Sequence, residues 1–281
     1  MPRFPTPTLP PHLRRSMPAW ARELETRLLT GRTLPEDRFW ADPSKVLMDA
    51  GMTPDVWQAS LLRATWTRAL LLCSRQAGKS QVAGALALCE AIRQPRSLIL
   101  LLSPTLRQSG ELFRDKLLPL WSALGRPLLL RPPTQLSLEL ANSSRIISLP
   151  ESEGGIRGYS GVRLLVIDEA ARVSDDLYRA VRPMLAVSQG RLIAMSTPFG
   201  KRGFFYEEYI SKRPWQRVSI KAGDCPRISP EFLREEREAL GERWYRQEYE
   251  NSWEDMVGAV FAQADIDAAT RESVPSVFGD Y

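Results

Sequence analysis

ALLLCSRQAGKSQVAGALALCEAIR, residues 69–93, is the stretch on which the fold turns. Ala69–Cys73 is a short, wholly apolar run, the pattern of a strand buried on both faces. After a turn, Lys79–Arg93 places Val82, Leu86, Cys89 and Ile92 at helical spacing and stops before Pro95. Between the two lies CSRQAGKS (73–80). It matches the phosphate-loop pattern G-x-x-x-x-G-K-[ST] at Gly78, Lys79 and Ser80, with Cys73 at the first glycine. The chemistry survives that exchange. Gly78 lets backbone amides close on a phosphate, and the helix start offers its own amides to the same anion. Lys79 can reach the β- and γ-phosphates, and the Ser80 hydroxyl can ligate Mg²⁺. Gly-Lys-Ser alone can be a chance tripeptide; a strand before it and a helix after it favour the functional reading. The expected nucleotide-binding stretch runs from Ser74, Arg75, Gln76 and Ala77 through Gly78, Lys79 and Ser80 to Gln81.

Working outward, Ser97–Leu102, Arg163–Ile167 and Arg191–Met195 are three more buried strands. Helices alternate with them. One is marked by Leu106, Phe113, Leu117, Leu120 and Leu124, with a bend expected at Pro119, and another by Leu177, Val181, Met184 and Leu185. Leu128–Leu149 reads as short strands around the PPTQ and NSS turns. The fold class is therefore α/β, a P-loop NTPase with a mostly parallel sheet covered by helices on both faces. Ligands in such sheets bind at the carboxyl ends of the strands, here after Cys73, Ile167 and Met195. A last long helix is predicted to open at Ser229 as N-cap, with Pro230 first and Phe232, Leu233, Leu240 and Trp244 on one face. The expected organisation is a proline-rich leader and connector over 1–45, with a short helix at 18–29. An ATPase core follows over 46–228, then a helical subdomain with an acidic tail over 229–281.

RLLVIDEA (163–170) sets Asp168 and Glu169 at the end of an apolar strand, where carboxylates are expensive to desolvate. A helix N-cap would explain one acid more easily than two adjacent ones. Asp168 suits a role at Mg²⁺, and Glu169 is placed to orient and deprotonate an attacking water. The pair reads as the second NTPase motif.

Composition narrows the classes. Of 281 residues, 43% are apolar and 25% charged, which excludes a disordered or fibrous chain. No apolar run approaches the roughly 18 residues that cross a bilayer, and MPRFPTPTLPPHLRR lacks the apolar core of a secretory signal. Cys73, Cys89 and Cys225 form no CxxC pair, so neither a disulfide framework nor a zinc site is expected. The single histidine, His12, leaves no room for histidine-based metal or triad chemistry. From Glu248 onward there are eight acids and one base, a net of −7, against 37 bases and 25 acids before it, a net of +12. A basic body permits a polyanionic partner, although 32 of the 38 bases are arginine and such bias can reflect genome composition.

At this point the sequence resembles the ATPase domain of the large terminase subunits of tailed bacteriophages, over roughly residues 50–260. The likeness rests on SRQAGKS, on Trp57–Gln58 in MTPDVWQ, on GIRGYSG (155–161) and on Ser196–Thr197–Pro198 with the FGKRGFFYEEY that follows. EFLREEREALGERWYRQEYENSW also looks like the close of that domain. The resemblance implies a RecA-like P-loop fold with a catalytic glutamate on its additional strand. It implies ATP and Mg²⁺ as cofactors, held at Ser80 and Asp168. It further implies that Gln58 reads the adenine edge beside Trp57, and that Arg75 contacts the γ-phosphate. Arg157 would be an arginine finger reaching a neighbouring subunit, and Ser196 and Thr197 a coupling motif. Double-stranded DNA, the portal protein and the small terminase subunit are the implied partners. A homo-oligomeric ring would form in the host cytoplasm, transiently docked on a procapsid, with no membrane association. For Trp57 a plain core aromatic is an equal reading, and for Arg157 a solvated loop arginine is the reading without the family.

Full-length members of that family continue into a nuclease domain, whereas only 28 residues follow Trp253 here. No nuclease activity is therefore expected of this chain. Two other readings compete with a packaging motor: a fragment of a helicase-type ATPase, and a nucleotide-dependent assembly module without catalysis. The first needs a second RecA-like domain, and the second is disfavoured by an intact Lys79, Ser80, Asp168 and Glu169.

Overall fold

The computed structural model describes residues 42–152 and 156–254; the leader, the helix expected at 18–29 and the tail from 255 lie outside the described residues. Helices α1 (Lys45–Asp49) and α2 (Val56–Arg63) lead into β1 (Arg68–Cys73), α3 (Lys79–Arg93) and β2 (Leu98–Ser103). Next comes α4 (Leu106–Gly110), which runs on as a π-helix over Glu111–Leu117 into α5 (Leu118–Ala123). Then follow β3 (Ser137–Glu139), β4 (Arg145–Pro150), β5 (Val162–Asp168), α6 (Asp175–Val181), β6 (Arg191–Ser196) and α7 (Gly203–Ile210). The last elements are β7 (Gln216–Ile220), α8 (Pro230–Leu240) and α9 (Glu242–Tyr249). The strands form one sheet in the order β3-β4-β2-β5-β6-β1-β7, parallel throughout except where β3 runs antiparallel to β4.

The four apolar runs become β1, β2, β5 and β6, four of the five inner strands, because alternate side chains must be buried on both faces. On one face Leu71, Ile99, Leu101, Val166 and Ile193 join Val82, Leu86, Phe113 and Trp121 from the helices that follow β1 and β2. On the other, Leu70, Leu72, Leu100, Ile167 and Leu192 meet Tyr178, Leu185, Phe204 and Phe205. Each such side chain taken out of water contributes about 1.5–3 kcal/mol, which favours inner positions for these strands.

Two sequence expectations are corrected. The helix after β2 is not bent at Pro119 itself. Its irregularity is the π-helix of Glu111–Leu117, just ahead, and Pro119 sits in the first turn of α5. Proline has no N–H to give and its ring crowds the carbonyl four residues back, so the turns preceding it absorb the mismatch. The last long helix is two helices. Ser229 caps α8 as expected, accepting from the Phe232 N–H, but Gly241 at φ 76°, ψ 159° ends it and starts α9. Phe232, Leu240 and Trp244 therefore share no buried face; each is more than 40% exposed. The inward residues are Tyr245 and Tyr249 of α9, packed with Ala222.

Beyond α9 the chain is tied across the carboxyl edge of the sheet. The Asn251 amide donates to the carbonyls of Leu72 (3.1 Å) and Ile220 (2.9 Å), bridging the ends of β1 and β7. Trp253 then packs among Phe205, Tyr206 and Tyr209 of α7.

Candidate active site

The loop between β1 and α3 lies at that carboxyl edge and is buttressed from below. Ser74 is buried, and its N–H donates to the Ile220 carbonyl at 2.9 Å. Gly78 has φ 92°, and a β-carbon there would come within 2.7 Å of Gln58 Nε2. The backbone angle favours glycine, and a β-carbon there would displace the Gln58 amide. The Gln58 amide reaches the Gly78 carbonyl at 3.4 Å, and its oxygen accepts from the Asp55 N–H at 2.9 Å, closing the capping box of α2. Arg227 adds a second prop, pairing with Asp55 and donating to the Ala77 carbonyl.

The acid pair is aimed by backbone shape. Glu169 takes the left-handed conformation (φ 50°, ψ 42°), which ends β5 and turns the chain into a 3₁₀ turn over Ala170–Arg172. A non-glycine residue there is strained by about 1–2 kcal/mol. The result is an ion pair of 2.9 Å between Glu169 Oε1 and Lys79 Nζ. Asp168 is 6% exposed, and its carboxylate accepts from the Glu169 N–H at 3.0 Å. Burial pushes the Asp168 carboxyl up to about 6, against the pull of Lys79. Burial works the other way on Lys79, but Glu169 and Asp168 outweigh it and hold the ammonium above its usual range.

These groups open on a cleft of about 640 Å³ lined by the loop from Arg75 to Gln81, by Glu169 and by Thr197. A smaller cavity of about 160 Å³ adjoins it at Ser80, Asp168 and Glu169. Three lining residues were not foreseen in the sequence: Gln108, Lys116 and Arg172. Gln108 lies on α4 and Lys116 on the π-helix, so both approach from an element whose π-helical turn moves side chains off regular helical spacing. Arg172 stood close enough to Glu169 to be suspected, but its direction depends on the turn between them.

A hard divalent cation fits the edge between the two cavities. Ser80 lines both cavities, and Asp168, a buried carboxylate, lines the smaller one. The Ser103 hydroxyl, one step beyond the last β2–β5 pair Leu102–Ile167, is buried without a partner. Oxygen donors of this kind, few in number, suit Mg²⁺, which keeps waters and phosphate oxygens as its other ligands.

The remaining predicted site residues are placed as follows. Arg75 lines the cleft, but its guanidinium is paired with Glu248 of α9 at 2.5 Å and its N–H donates to the Glu248 carbonyl at 3.1 Å. Thr197 reaches the cleft, whereas the Ser196 hydroxyl is buried beside it with no partner. Trp57 packs against the core, and Gln58 sits behind the loop. Arg157 is exposed on the turn Ile156–Gly158 and does not line the cleft of its own chain.

Comparison with known proteins gives the family and the fold. Residues 70–268 match the model of the terminase large subunit, T4-like-virus type, N-terminal part. The large terminase subunit of Escherichia phage T5 is 25% identical over 80% of this chain and 54% of its own length, so the chain spans about half of that relative. Among solved structures, the Thermus phage P74-26 large terminase ATPase domain superposes with a TM-score of 0.66 at 21% identity, over 79% of this chain and all of that one. The large terminase of another thermophilic bacteriophage, in complex with ADP, gives 0.56 at 14% identity, over 75% of this chain and 52% of that one. That terminase has also been solved with ATP-γ-S. At these identities the solved structures speak for the fold, a RecA-like P-loop domain. With residues 70–268 of its 281 inside the family model, the chain belongs to the T4-like-virus-type large terminase subunits, in their N-terminal part.

Proposed function

We propose that this chain is the ATP-hydrolysing motor part of a viral DNA-packaging terminase, driving double-stranded DNA into a procapsid. The observation that carries the reading is the gathering of Lys79, Ser80, Asp168 and Glu169 around two adjoining cavities at the carboxyl edge of a parallel sheet. The ADP and ATP-γ-S complexes of the thermophilic-phage terminase support ATP as ligand.

In this mechanism Lys79 and the loop amides hold the phosphates. Lys79 then no longer binds Glu169 alone, and Glu169 orients the attacking water and takes its proton. Ser80 and Asp168 would hold Mg²⁺, which neutralises charge on the transferred phosphoryl group. Thr197 would pass the state of the cleft to the parts that grip DNA. The net +12 of residues 1–247 suits a grip on phosphates without sequence readout. A ring of copies, the portal protein and the small subunit are the partners of this reading, in the host cytoplasm.

The test is steady-state ATP hydrolysis by the native chain and by Glu169→Gln, with nucleotide affinity measured in parallel. Turnover should fall about 10²–10⁴-fold while binding is kept. Equal turnover in the two proteins would remove Glu169 from the mechanism.

A further inference from the structure

Two cations lie within ion-pair distance of Glu169, Lys79 of the phosphate loop and Arg172 outside it, while Arg75 of the loop feels its charge from beyond that distance. Glu169 Oε1 is held by Lys79 at 2.9 Å, and Glu169 Oε2 lies 4.0 Å from Arg172 Nε. Arg172 closes the turn that begins at Glu169, its N–H donating to the Glu169 carbonyl at 2.8 Å. Its guanidinium lies over the Phe199 ring, 3.9 Å from the centroid. Phe199 directly follows Ser196–Thr197–Pro198, and Thr197 lines the same cleft. Arg172 is therefore a guided cation, with a planar face on an aromatic platform and its edge turned to the carboxylate.

Phosphates and Glu169 compete for Lys79. Once a triphosphate draws on that ammonium, Glu169 loses its close partner and faces added negative charge in a half-buried site, which is unfavourable. Among the described residues, the other cation in ion-pair reach of Glu169 is Arg172. A side-chain shift of about an ångström closes the pair to ordinary charge-assisted hydrogen-bond length.

We propose, building on the hydrolysis reading above, that Arg172 is a positioning residue acting within its own chain. It receives the Glu169 carboxylate as Lys79 turns to the triphosphate, and Phe199 holds it in place to do so. The assignment differs from that of Arg157, which would serve a neighbouring subunit. It also ties the position of Glu169 to the 196–199 segment through the ring of Phe199.

The experiment is a double-mutant cycle on ATP-γ-S affinity, read by displacement of a fluorescent nucleotide. Arg172→Ala is made in the native chain and in Glu169→Gln, with Arg172→Lys and Phe199→Leu alongside and ADP affinity, kcat and KM measured throughout. In the native background Arg172→Ala should weaken ATP-γ-S binding about fivefold, with a smaller change for ADP, and lower kcat about tenfold or more. In Glu169→Gln the same substitution should leave ATP-γ-S affinity unchanged, because the carboxylate to be held is gone. Arg172→Lys should recover part of the loss, and Phe199→Leu should reproduce part of it. Equal losses in both backgrounds would make Arg172 a direct nucleotide contact, and no loss in either would remove it from the site; each result overturns the proposal. A native chain that binds neither nucleotide would instead strike the hydrolysis reading itself, and the role of Arg172 with it.

Discussion

Asp168 carries a charge in a place that penalises charge, and the direction of that penalty can be measured. Burial raises its folded-state carboxyl to about 6 from an ordinary 3.8, so between those values the folded protein binds more protons than the unfolded chain. Stability from this group is fully present below the ordinary value and is lost as pH rises through about 6. The difference of roughly two pH units amounts to about 3 kcal/mol at most. Asp168→Asn should then match the native chain in urea unfolding near pH 4 and exceed it increasingly towards pH 7; a difference independent of pH would refute the account. Under the proposal that Asp168 holds Mg²⁺, the same titration should weaken Mg²⁺ binding as pH falls through about 6, since the cation needs the ionised carboxylate. At this scale the sequence was legible wherever the chemistry is contiguous. Gly78–Lys79–Ser80 and Asp168–Glu169 each sit within one short motif, and strand ends bring the two together. Arg172 and Lys116 were not legible. Arg172 is set by a left-handed residue and by the ring of Phe199, and Lys116 by a π-helical turn, none of which leaves a periodic trace.

Among elements, legibility followed burial. β1, β2, β5 and β6 are covered on both faces and so read as unbroken apolar runs. β7 sits at the edge of the sheet with most of its residues exposed or half-exposed, and Gln216–Ile220 shows no such run. The tail end of the fold was misread because α8 and α9 continue one another in helical spacing, while a single glycine separates them. At φ 76°, ψ 159°, Gly241 occupies a region open in practice to glycine alone, and a β-carbon there would meet nothing within 4 Å. The break is thus conformational, not steric crowding. Gly241→Ala should lower stability by about 1–3 kcal/mol in urea unfolding. A change under about 0.5 kcal/mol would mean that the two helices can realign without strain. The position matters beyond stability, because α9 delivers Glu248 to Arg75 and leads into Asn251, which binds the ends of β1 and β7.

At the scale of the molecule, one residue of the proposed site is turned away from the others. Its own cleft gathers the loop, Glu169, Thr197, Lys116 and Arg172, and the cavity beside it adds Asp168. Arg157 is exposed on its turn and stays out of that cleft. If Arg157 serves as a finger, it serves another copy, and the chemistry then depends on how often copies meet. Hydrolysis per subunit should climb with protein concentration in the native chain, and Arg157→Ala should flatten that climb while leaving the rate at high dilution unchanged. An arginine finger supplied between subunits raises turnover by roughly 10³–10⁵-fold in related phosphoryl-transfer enzymes, so the slope should be easy to detect once copies associate. Glu169→Gln, which disables every copy alike, should be inactive at all concentrations. A native rate that is flat in concentration and indifferent to Arg157→Ala would mean that each chain completes its own site. Arg172 would then stand as the arginine in ion-pair reach of Glu169, and assembly into a ring would have to act on DNA grip rather than on the chemical step.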